Sequence, residues 1–162
     1  MGYELIHGGI GGRAGKDGCE AMSSPYNAAN IPVEAVEAAT PVIVERFQLI
    51  PDSGGRGRHR GGLGVRRDVR ILGEDVKFTN LSERHRFRPF GVMGGEPGRL
   101  GRTVVNPGTP REREIGGKAS VDLSYGDVVS FQLAGAGGYG DPAERDPALV
   151  AEDLRLGLVT QW

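Results

Sequence analysis

The sequence predicts a mainly β protein, in which a mixed or antiparallel sheet is folded as a sandwich or barrel, with long glycine-rich loops and two short helices. Three observations predict this class. Several short segments are rich in β-branched and apolar side chains. Glycine supplies 28 of the 162 residues, far above the usual level of about 7%. Strands and helices do not alternate regularly, which argues against a doubly wound parallel sheet.

The first half of the chain is predicted to contain one helix and three strands. A helix is expected over Ile31–Ala39, with Asn30 as its cap, and Pro41 ends it. Three segments have the composition of strands: Val42–Ile50, Val65–Ile71 and Val76–Leu81. Because only Gly73–Asp75 separates the second of these strands from the third, we expect a hairpin connection there.

The second half alternates loops with short strands and ends in a helix. Two segments have loop composition: Gly94–Gly101 and Asn106–Gly117. Val121–Leu123 and Val128–Leu133 are predicted strands, joined by a turn at Ser124–Asp127. Asp146 as a cap and Pro147 in the first turn predict a last helix that runs to about Leu156.

The charge of the chain is balanced overall but unevenly distributed. A net charge of −1 argues against nucleic acid or an anionic membrane as a general partner. Residues 52–70 contain six arginines and two aspartates, whereas residues 141–155 contain five acids and two arginines. Seventeen of the twenty basic residues are arginine, the side chain that suits interfaces and bidentate binding of carboxylates; a codon bias toward arginine would give the same count. The polarity predicts contact surfaces of opposite sign.

Several common features of targeting and redox chemistry are missing from the sequence. Cys19 is the single cysteine, so an internal disulfide and a thiolate metal cluster are both excluded. The start of the chain has no basic region followed by an apolar run, and no run approaches the ~18 apolar residues of a membrane span. We therefore expect a cytoplasmic protein without membrane contact.

The segment Asp52–Gly64, hereafter the central loop, is the most distinctive part of the sequence. It contains six glycines in thirteen positions, together with Arg56, Arg58, His59 and Arg60. Composition alone is also typical of a mobile surface turn. Because strand-like sequence flanks the loop on both sides, we expect it to be held in place, where its arginines are suited to anions or to an interface.

Other motifs fail on context. Gly135–Gly140 satisfies the dinucleotide pattern Gly-x-Gly-x-x-Gly, but Asp141-Pro142 follows instead of a helix. Gly11–Lys16 lacks both key positions of a phosphate-binding loop. The three histidines are far apart, so no metal site is predicted. Ser53 lacks a nucleophile-elbow sequence, and we expect it to make a turn hydrogen bond.

Residues 84–90 form a second cationic segment, Arg-His-Arg-Phe-Arg-Pro-Phe. Arginines interleaved with phenylalanines could bind single-stranded nucleic acid, with phosphate contacts and base stacking. The same composition is typical of protein interfaces, where arginine and aromatic residues are enriched. The neutral net charge and the absence of an RNA-binding signature favour the protein interface.

Three separated motifs resemble the hydantoinase B/oxoprolinase family. They are Asn30-Ile31-Pro32-Val33-Glu34 with Glu37, then Pro51–Gly55 continuing through Arg60–Gly64, and finally Gly137–Pro142 with Arg145-Asp146-Pro147. Their order and spacing match the C-terminal part of that family's large subunit. The whole chain, residues 1–162, is therefore interpreted as one hydantoinase B-like C-terminal module, either a separate small subunit or an excised piece.

The resemblance implies the function. Family members work with kinase-like hydantoinase A-type subunits in ATP-dependent chemistry on a carbonyl. One branch opens cyclic amides such as hydantoins and 5-oxoproline, and another carboxylates ketones such as acetone and acetophenone. Division into extra subunits favours the ketone-carboxylase branch; a cyclic-amide hydrolase, or a purely structural assembly module, is the alternative.

The resemblance also implies where the chemistry lies. ATP, and the divalent metal of metal-dependent relatives, are expected on partner subunits: hydantoinase A-type subunits and an N-terminal hydantoinase B-type large subunit. No cofactor or metal is expected on this chain, which is expected to be inactive alone. Catalytic residues are left unassigned; the candidate substrate, intermediate or interface residues are Asn30, Glu34, Asp52, Ser53, Arg56, Arg58, His59 and Arg60.

Overall fold

The computed structural model describes residues 2–22 and 30–162. Two α-helices lie in this part of the chain, α1 (Val33–Ala39) and α2 (Pro147–Arg155), and a 3₁₀ turn covers Pro142–Glu144. The strands are β1 (Val42–Leu49), β2 (Val65–Ile71), β3 (Val76–Leu81), β4 (Arg102–Val105), β5 (Arg113–Ile115), β6 (Lys118–Leu123) and β7 (Val128–Gln132).

The strands form two antiparallel sheets. One has five strands in the order β1-β2-β7-β4-β5, and the other is a ribbon of β3 and β6. Apolar side chains from both pack together in the core: Ile71, Val105, Ile115, Leu123 and Val129, with Phe78 and Phe131 edge to face at 5.6 Å. The prediction of a mainly β fold with two short helices is confirmed; over the described residues the sheets stay open, and no barrel closes.

Most predicted elements are present, and the last helix is present as expected. Asp146 caps α2, where its carboxylate accepts a hydrogen bond from the Ala148 amide at 2.9 Å. The other predicted cap is wrong. Helix α1 begins at Val33 after Pro32 without a side-chain cap, because the Asn30 side chain instead accepts from the His7 amide at 2.8 Å and donates to the Ala21 carbonyl.

Two connections also differ from the prediction. Strands β2 and β3 do not form a hairpin across Gly73–Asp75, because β3 leaves the five-stranded sheet and pairs with β6. Strands β4 and β5 lie in or beside segments predicted as loops. They are four and three residues long, too short for a periodic pattern.

Four glycine-rich segments stack at one end of the five-stranded sheet, where β1 and β7 finish and β2 and β4 begin. We call this stack the glycine layer; it consists of residues 8–18, 52–64, 91–101 and 135–140. Its segments exchange backbone hydrogen bonds, including Gly55 N to Ala136 O at 2.8 Å and Gly138 N to Glu96 O at 2.9 Å. A Cβ at Gly61 would overlap the Ala136 carbonyl, so the backbones approach at distances that glycine alone permits.

None of the helices in the described ranges is both long enough and apolar enough to cross a bilayer.

Candidate functional site

The central loop is fixed by its own first residues. Asp52 adopts a left-handed backbone with φ of +57°, and its carboxylate accepts from the Thr160 amide at 2.8 Å and the Thr160 hydroxyl at 2.7 Å. Ser53 is fully buried; its hydroxyl donates to the Ile50 carbonyl and accepts from the Gly64 amide at 2.8 Å. Ser53 therefore makes the predicted turn hydrogen bond and closes the base of the loop.

Arg60 lies in a buried charge cluster with Asp17, Arg145 and Asp153. Arg145 donates to both oxygens of Asp17 at 2.8 Å and to Asp153 at 2.6 Å. Arg60 donates its Nε to Asp153 at 3.3 Å and its backbone amide to Asp17 at 2.7 Å, and its Nη1 lies 2.9 Å from Glu20. Carboxylates of the chain neutralise both guanidinium groups. The cluster therefore fixes the central loop to residues near both ends of the chain, Asp17 and Asp153.

The cluster alters the titration of its members. Burial by itself would raise the pKa of Asp17, but hydrogen bonds and positive charge from Arg145, together with the Arg60 amide, keep that pKa below its usual value. Burial opposes the positive charge of Arg145, yet Asp17 and Asp153 raise its pKa above the ordinary value. The Trp162 ring covers the Arg145 guanidinium at 4.9 Å, which completes the enclosure of the charge.

The other basic residues of the central loop are less enclosed. Arg56 pairs with Glu96 at 3.0 Å, and Arg58 pairs with Glu144; both arginine side chains are about half exposed. His59 accepts a hydrogen bond from the Gly15 amide at 3.0 Å through its Nε2. Each of these side chains thus has an internal partner, and Arg56 and Arg58 also face solvent.

The remaining predicted residues lie apart from the charge cluster. Asn30 ties the segment before α1 to His7 and Ala21. Glu34 is exposed in the first turn of α1, where its charge favours the helix dipole. The structure therefore brings Arg60 and His59 together around Asp17, whereas Asn30 and Glu34 do not join this group.

Two motifs that resemble nucleotide-binding loops have a different local structure. Gly135–Gly140 is followed by the 3₁₀ turn at Pro142 instead of a helix that would face a pyrophosphate. Its glycines instead pack against the Ser53 and Phe90 carbonyls. Residues Arg13 and Lys16 exchange two backbone hydrogen bonds of 3.0 Å in a tight turn. Both motifs are parts of the glycine layer.

A different surface carries the free positive charge. The segment Arg84–Gly91, which we call the cationic strip, leads from β3 into the glycine layer. Within the described part of the chain, no carboxylate lies within 4.0 Å of Arg84, Arg86 or Arg88. Phe87 and Phe90 are 73% and 72% exposed. The strip therefore presents unpaired charge and unburied aromatic surface side by side.

Two cavities border the cationic strip. One, of about 360 Å³, is lined by His85, Arg88, Arg99, Arg102 and Glu114 among others. The second, of about 530 Å³, lies between residues 82–87 and the β5–β6 turn. Arg102 lies 3.9 Å from Glu114 in the smaller cavity, so within the described part of the chain Arg88 and Arg99 are its unpaired cations.

His85 separates the two cavities. Its imidazole lies beside Gly101 and Gly117, where an added Cβ would make an ordinary van der Waals contact with the ring. Burial lowers the pKa of His85 below its ordinary value and Lys118 reinforces this, while Glu114 and Glu83 oppose it. The positive charge around the smaller cavity at neutral pH therefore comes from its arginines.

Sequence patterns missed Asp17 and Asp153, which are central to the buried charge cluster, and placed Arg145 in a family motif without assigning it to the site. Asp17 lies 43 residues from Arg60, and Asp153 lies 93 residues from it. One signal was available for Asp153, since an acid on the inward face of a short helix requires a buried partner. In the described ranges, no three His, Cys, Asp or Glu side chains lie where they could share a metal ion.

Sequence comparisons agree with the fold. The family model described as Hydantoinase B/oxoprolinase matches residues 1–142. The chain is 32% identical over 161 residues to the B polypeptide of a putative D-/L-hydantoinase from a Pseudomonas species, covering 98% of this chain and 27% of that protein. It is 37% identical over 145 residues to a 5-oxoprolinase of Pestalotiopsis fici, covering 86% of this chain and 11% of that protein. The chain thus spans a minor part of these relatives.

Solved structures extend the comparison. The ATP-dependent caprolactamase from Pseudomonas jessenii superposes with a TM-score of 0.82 at 27% identity, covering 95% of this chain and 28% of that one. An acetone carboxylase superposes with a TM-score of 0.74 at 22% identity, covering 89% of this chain and 24% of that one; at this identity the likeness shows the fold alone. With the family model matching most of its length, the chain belongs to the hydantoinase B/oxoprolinase family.

Proposed function

We propose that this chain is the C-terminal module of a hydantoinase B-type subunit in an ATP-dependent enzyme complex that acts on an activated carbonyl. One observation carries the proposal: the caprolactamase superposition covers 95% of this chain but 28% of the caprolactamase chain. The fold therefore corresponds to one part of a larger catalytic assembly. In this proposal ATP binds to hydantoinase A-type subunits, and the rest of a hydantoinase B-type large subunit lies beside this module.

Cyclic-amide hydrolysis is the first candidate chemistry. The relatives at 32% identity or more include a 5-oxoprolinase and a putative hydantoinase component. The caprolactamase match, at 27% identity, adds a third cyclic amide. Opening such a ring requires activation of a poorly electrophilic carbonyl in a site that controls access of water. This module would contribute the rigid glycine layer that shapes one side of the assembly.

Ketone carboxylation is the second candidate. The acetone carboxylase shares the fold with a TM-score of 0.74, a likeness that shows the fold alone, so experiment must decide between the two chemistries. Both chemistries consume ATP, so ATP consumption alone does not distinguish them. The required co-substrate does, because carboxylation consumes bicarbonate and hydrolysis consumes water.

The test is reconstitution with the hydantoinase A-type and B-type polypeptides of the same organism. ATP consumption is measured with 5-oxoproline, hydantoin or caprolactam, and separately with acetone plus bicarbonate. We expect turnover with one class of substrate, and turnover should fall to background when this chain is omitted. Equal turnover without the chain, or turnover by the isolated chain, would overturn the proposal.

Within this function we assign the exposed loop arginines to subunit contacts. Arg56 and Arg58 are half exposed, so their internal glutamate partners can be exchanged for carboxylates of a neighbouring subunit. The double variant Arg56→Ala, Arg58→Ala should lower assembly or turnover. Arg155→Ala is the matched control, because Arg155 is also exposed and paired with a glutamate, on the outside of α2. Unchanged assembly and turnover in the double variant would reject this role.

A further inference from the structure

The cationic strip is exposed, and its backbone is hydrogen-bonded to the glycine layer near both of its ends. Arg84, its first residue, adopts a left-handed φ angle of +62°, which is uncommon for residues other than glycine. The Gly101 amide donates to the Arg84 carbonyl at 3.0 Å, and the Gly98 amide donates to the Pro89 carbonyl at 2.9 Å. Strained backbone that is fixed by its surroundings is typical of a functional surface.

The large apolar side chains in and next to the strip are mostly exposed to solvent. Leu81, before the strip, and Met93, after it, are 70% and 76% exposed, and Phe87 and Phe90 within the strip are exposed to a similar degree. Concentration of large apolar side chains in one exposed segment marks an interaction site, whereas single exposed apolar residues are ordinary. Phenylalanine beside arginine is the composition of an interface core.

We propose that the cationic strip and the cavity beside it dock a carboxylate-bearing, apolar surface of the hydantoinase B-type large polypeptide. Arg88 and Arg99 line the smaller cavity, where they can bind an aspartate or glutamate side chain of the partner in bidentate geometry. Phe87 and Phe90 cover the apolar part of that surface. The superposition supplies the candidate occupant, because 72% of the caprolactamase chain lies outside the region that this module covers. This inference rests on the proposed function.

Preorganisation is what makes the strip suited to docking. Its main chain is already hydrogen-bonded to the glycine layer, so binding orders side chains but not backbone. Arginines that are unpaired before binding do not have to break internal ion pairs. They also steer an acidic partner toward the cationic strip at low salt.

The experiment is a titration of the intact chain with the hydantoinase B-type large polypeptide, monitored by isothermal calorimetry. Phe87→Ser should raise the dissociation constant about thirtyfold, the size expected for an aromatic hot spot. Arg86→Glu with Arg88→Glu should weaken binding at least tenfold, and the salt dependence of binding should decrease. Far-UV circular dichroism and thermal melting check that each variant is folded.

Matched controls lie elsewhere on the surface. Tyr125→Ser removes an aromatic side chain that is 62% exposed in the β6–β7 turn, and Arg13→Glu reverses an exposed charge in the first glycine-rich loop. Both should bind as the unaltered chain does. Normal binding by the strip variants would overturn the docking surface and leave the proposed function standing.

Three further outcomes separate the alternatives. If the strip variants keep their affinity for the polypeptide but lose binding to single-stranded RNA, the strip is a nucleic-acid surface and the docking proposal is overturned. If the unaltered chain does not bind the polypeptide, the docking proposal is also overturned. If docking is confirmed but the complex consumes no ATP with any substrate, only the proposed function fails.

Discussion

Residues 56–60 and 84–88 have the same basic content, three arginines and one histidine in five positions, but the structure uses them differently. In the central loop, Arg56, Arg58 and Arg60 pair with Glu96, Glu144 and Asp153. In the cationic strip, no described carboxylate lies within pairing distance of an arginine. Local composition therefore does not determine whether an arginine holds a fold together or faces a partner. What determines this is which carboxylates the fold brings near the arginine.

The largest expected effect comes from removing the charge that joins the central loop to its distant partners. Arg145→Met leaves the buried Asp153 and the partly buried Asp17 without their shared cation. Loss of one member of a buried ion pair typically costs about 3–5 kcal/mol. Urea unfolding monitored by circular dichroism should show a decrease of this size. Arg155→Met is the control, with a decrease of less than about 1 kcal/mol.

A slightly smaller effect is expected from a methyl group in the glycine layer. In Gly135→Ala the added Cβ would overlap the Ser53 carbonyl, so the central loop must move away from residues 135–140. Overpacking of this kind costs about 3 kcal/mol, measured again as the free energy of unfolding in urea. Gly116→Ala has open space around its Cβ and should change stability by less than about 1 kcal/mol. Equal losses in both variants would contradict the close approach.

Acid should weaken the attachment of the central loop through Asp17. The pKa of Asp17 is lowered in the folded state, so the folded protein binds fewer protons than the unfolded chain when the pH approaches the ordinary value of 3.8. This stabilisation is complete above that pH and is lost as the pH falls through the lowered pKa. Asp17→Asn should flatten the decline in urea midpoint between about pH 5 and pH 2. Asp122→Asn, at a highly exposed site, should leave the decline unchanged.

The smallest effect on stability is expected in the cationic strip. Arg86→Ala with Arg88→Ala removes no ion pair and no buried contact, so the free energy of unfolding should change by less than about 0.5 kcal/mol per substitution. Differential scanning calorimetry of the purified chain measures this. A loss above about 2 kcal/mol would show that the strip arginines stabilise the fold, and the contrast between the two segments would disappear.

The sequence predicted the elements that have strong local signals. Strands β1, β2 and β7 have apolar or alternating patterns, and α2 begins with the Asp146-Pro147 pair. Strands β4 and β5 are too short for a pattern to be resolved. The route of β3 to a separate ribbon depends on pairing with β6, some forty residues away, which no turn signal at Gly73–Asp75 reports.

The candidate site was harder to predict than the fold. The sequence located the central loop and its basic residues, and it identified Ser53 as a turn residue. It did not reveal that Arg60 is buried, because the carboxylates that neutralise it come from distant parts of the chain. It did indicate an interface composition in the cationic strip, since that conclusion requires only neighbouring residues.

The long reach of the central loop's anchors has a consequence for biosynthesis. Arg60 and Asp153 are 93 positions apart, and Asp52 and Thr160 are 108 apart. At the usual elongation rate, roughly 5–20 seconds pass between the translation of Arg60 and that of Asp153. During this interval the nascent chain contains the central loop but not Asp153 or Thr160, which anchor it. Folding of this module is therefore completed late, when its last helix packs beside the central loop and Asp153 pairs with Arg60.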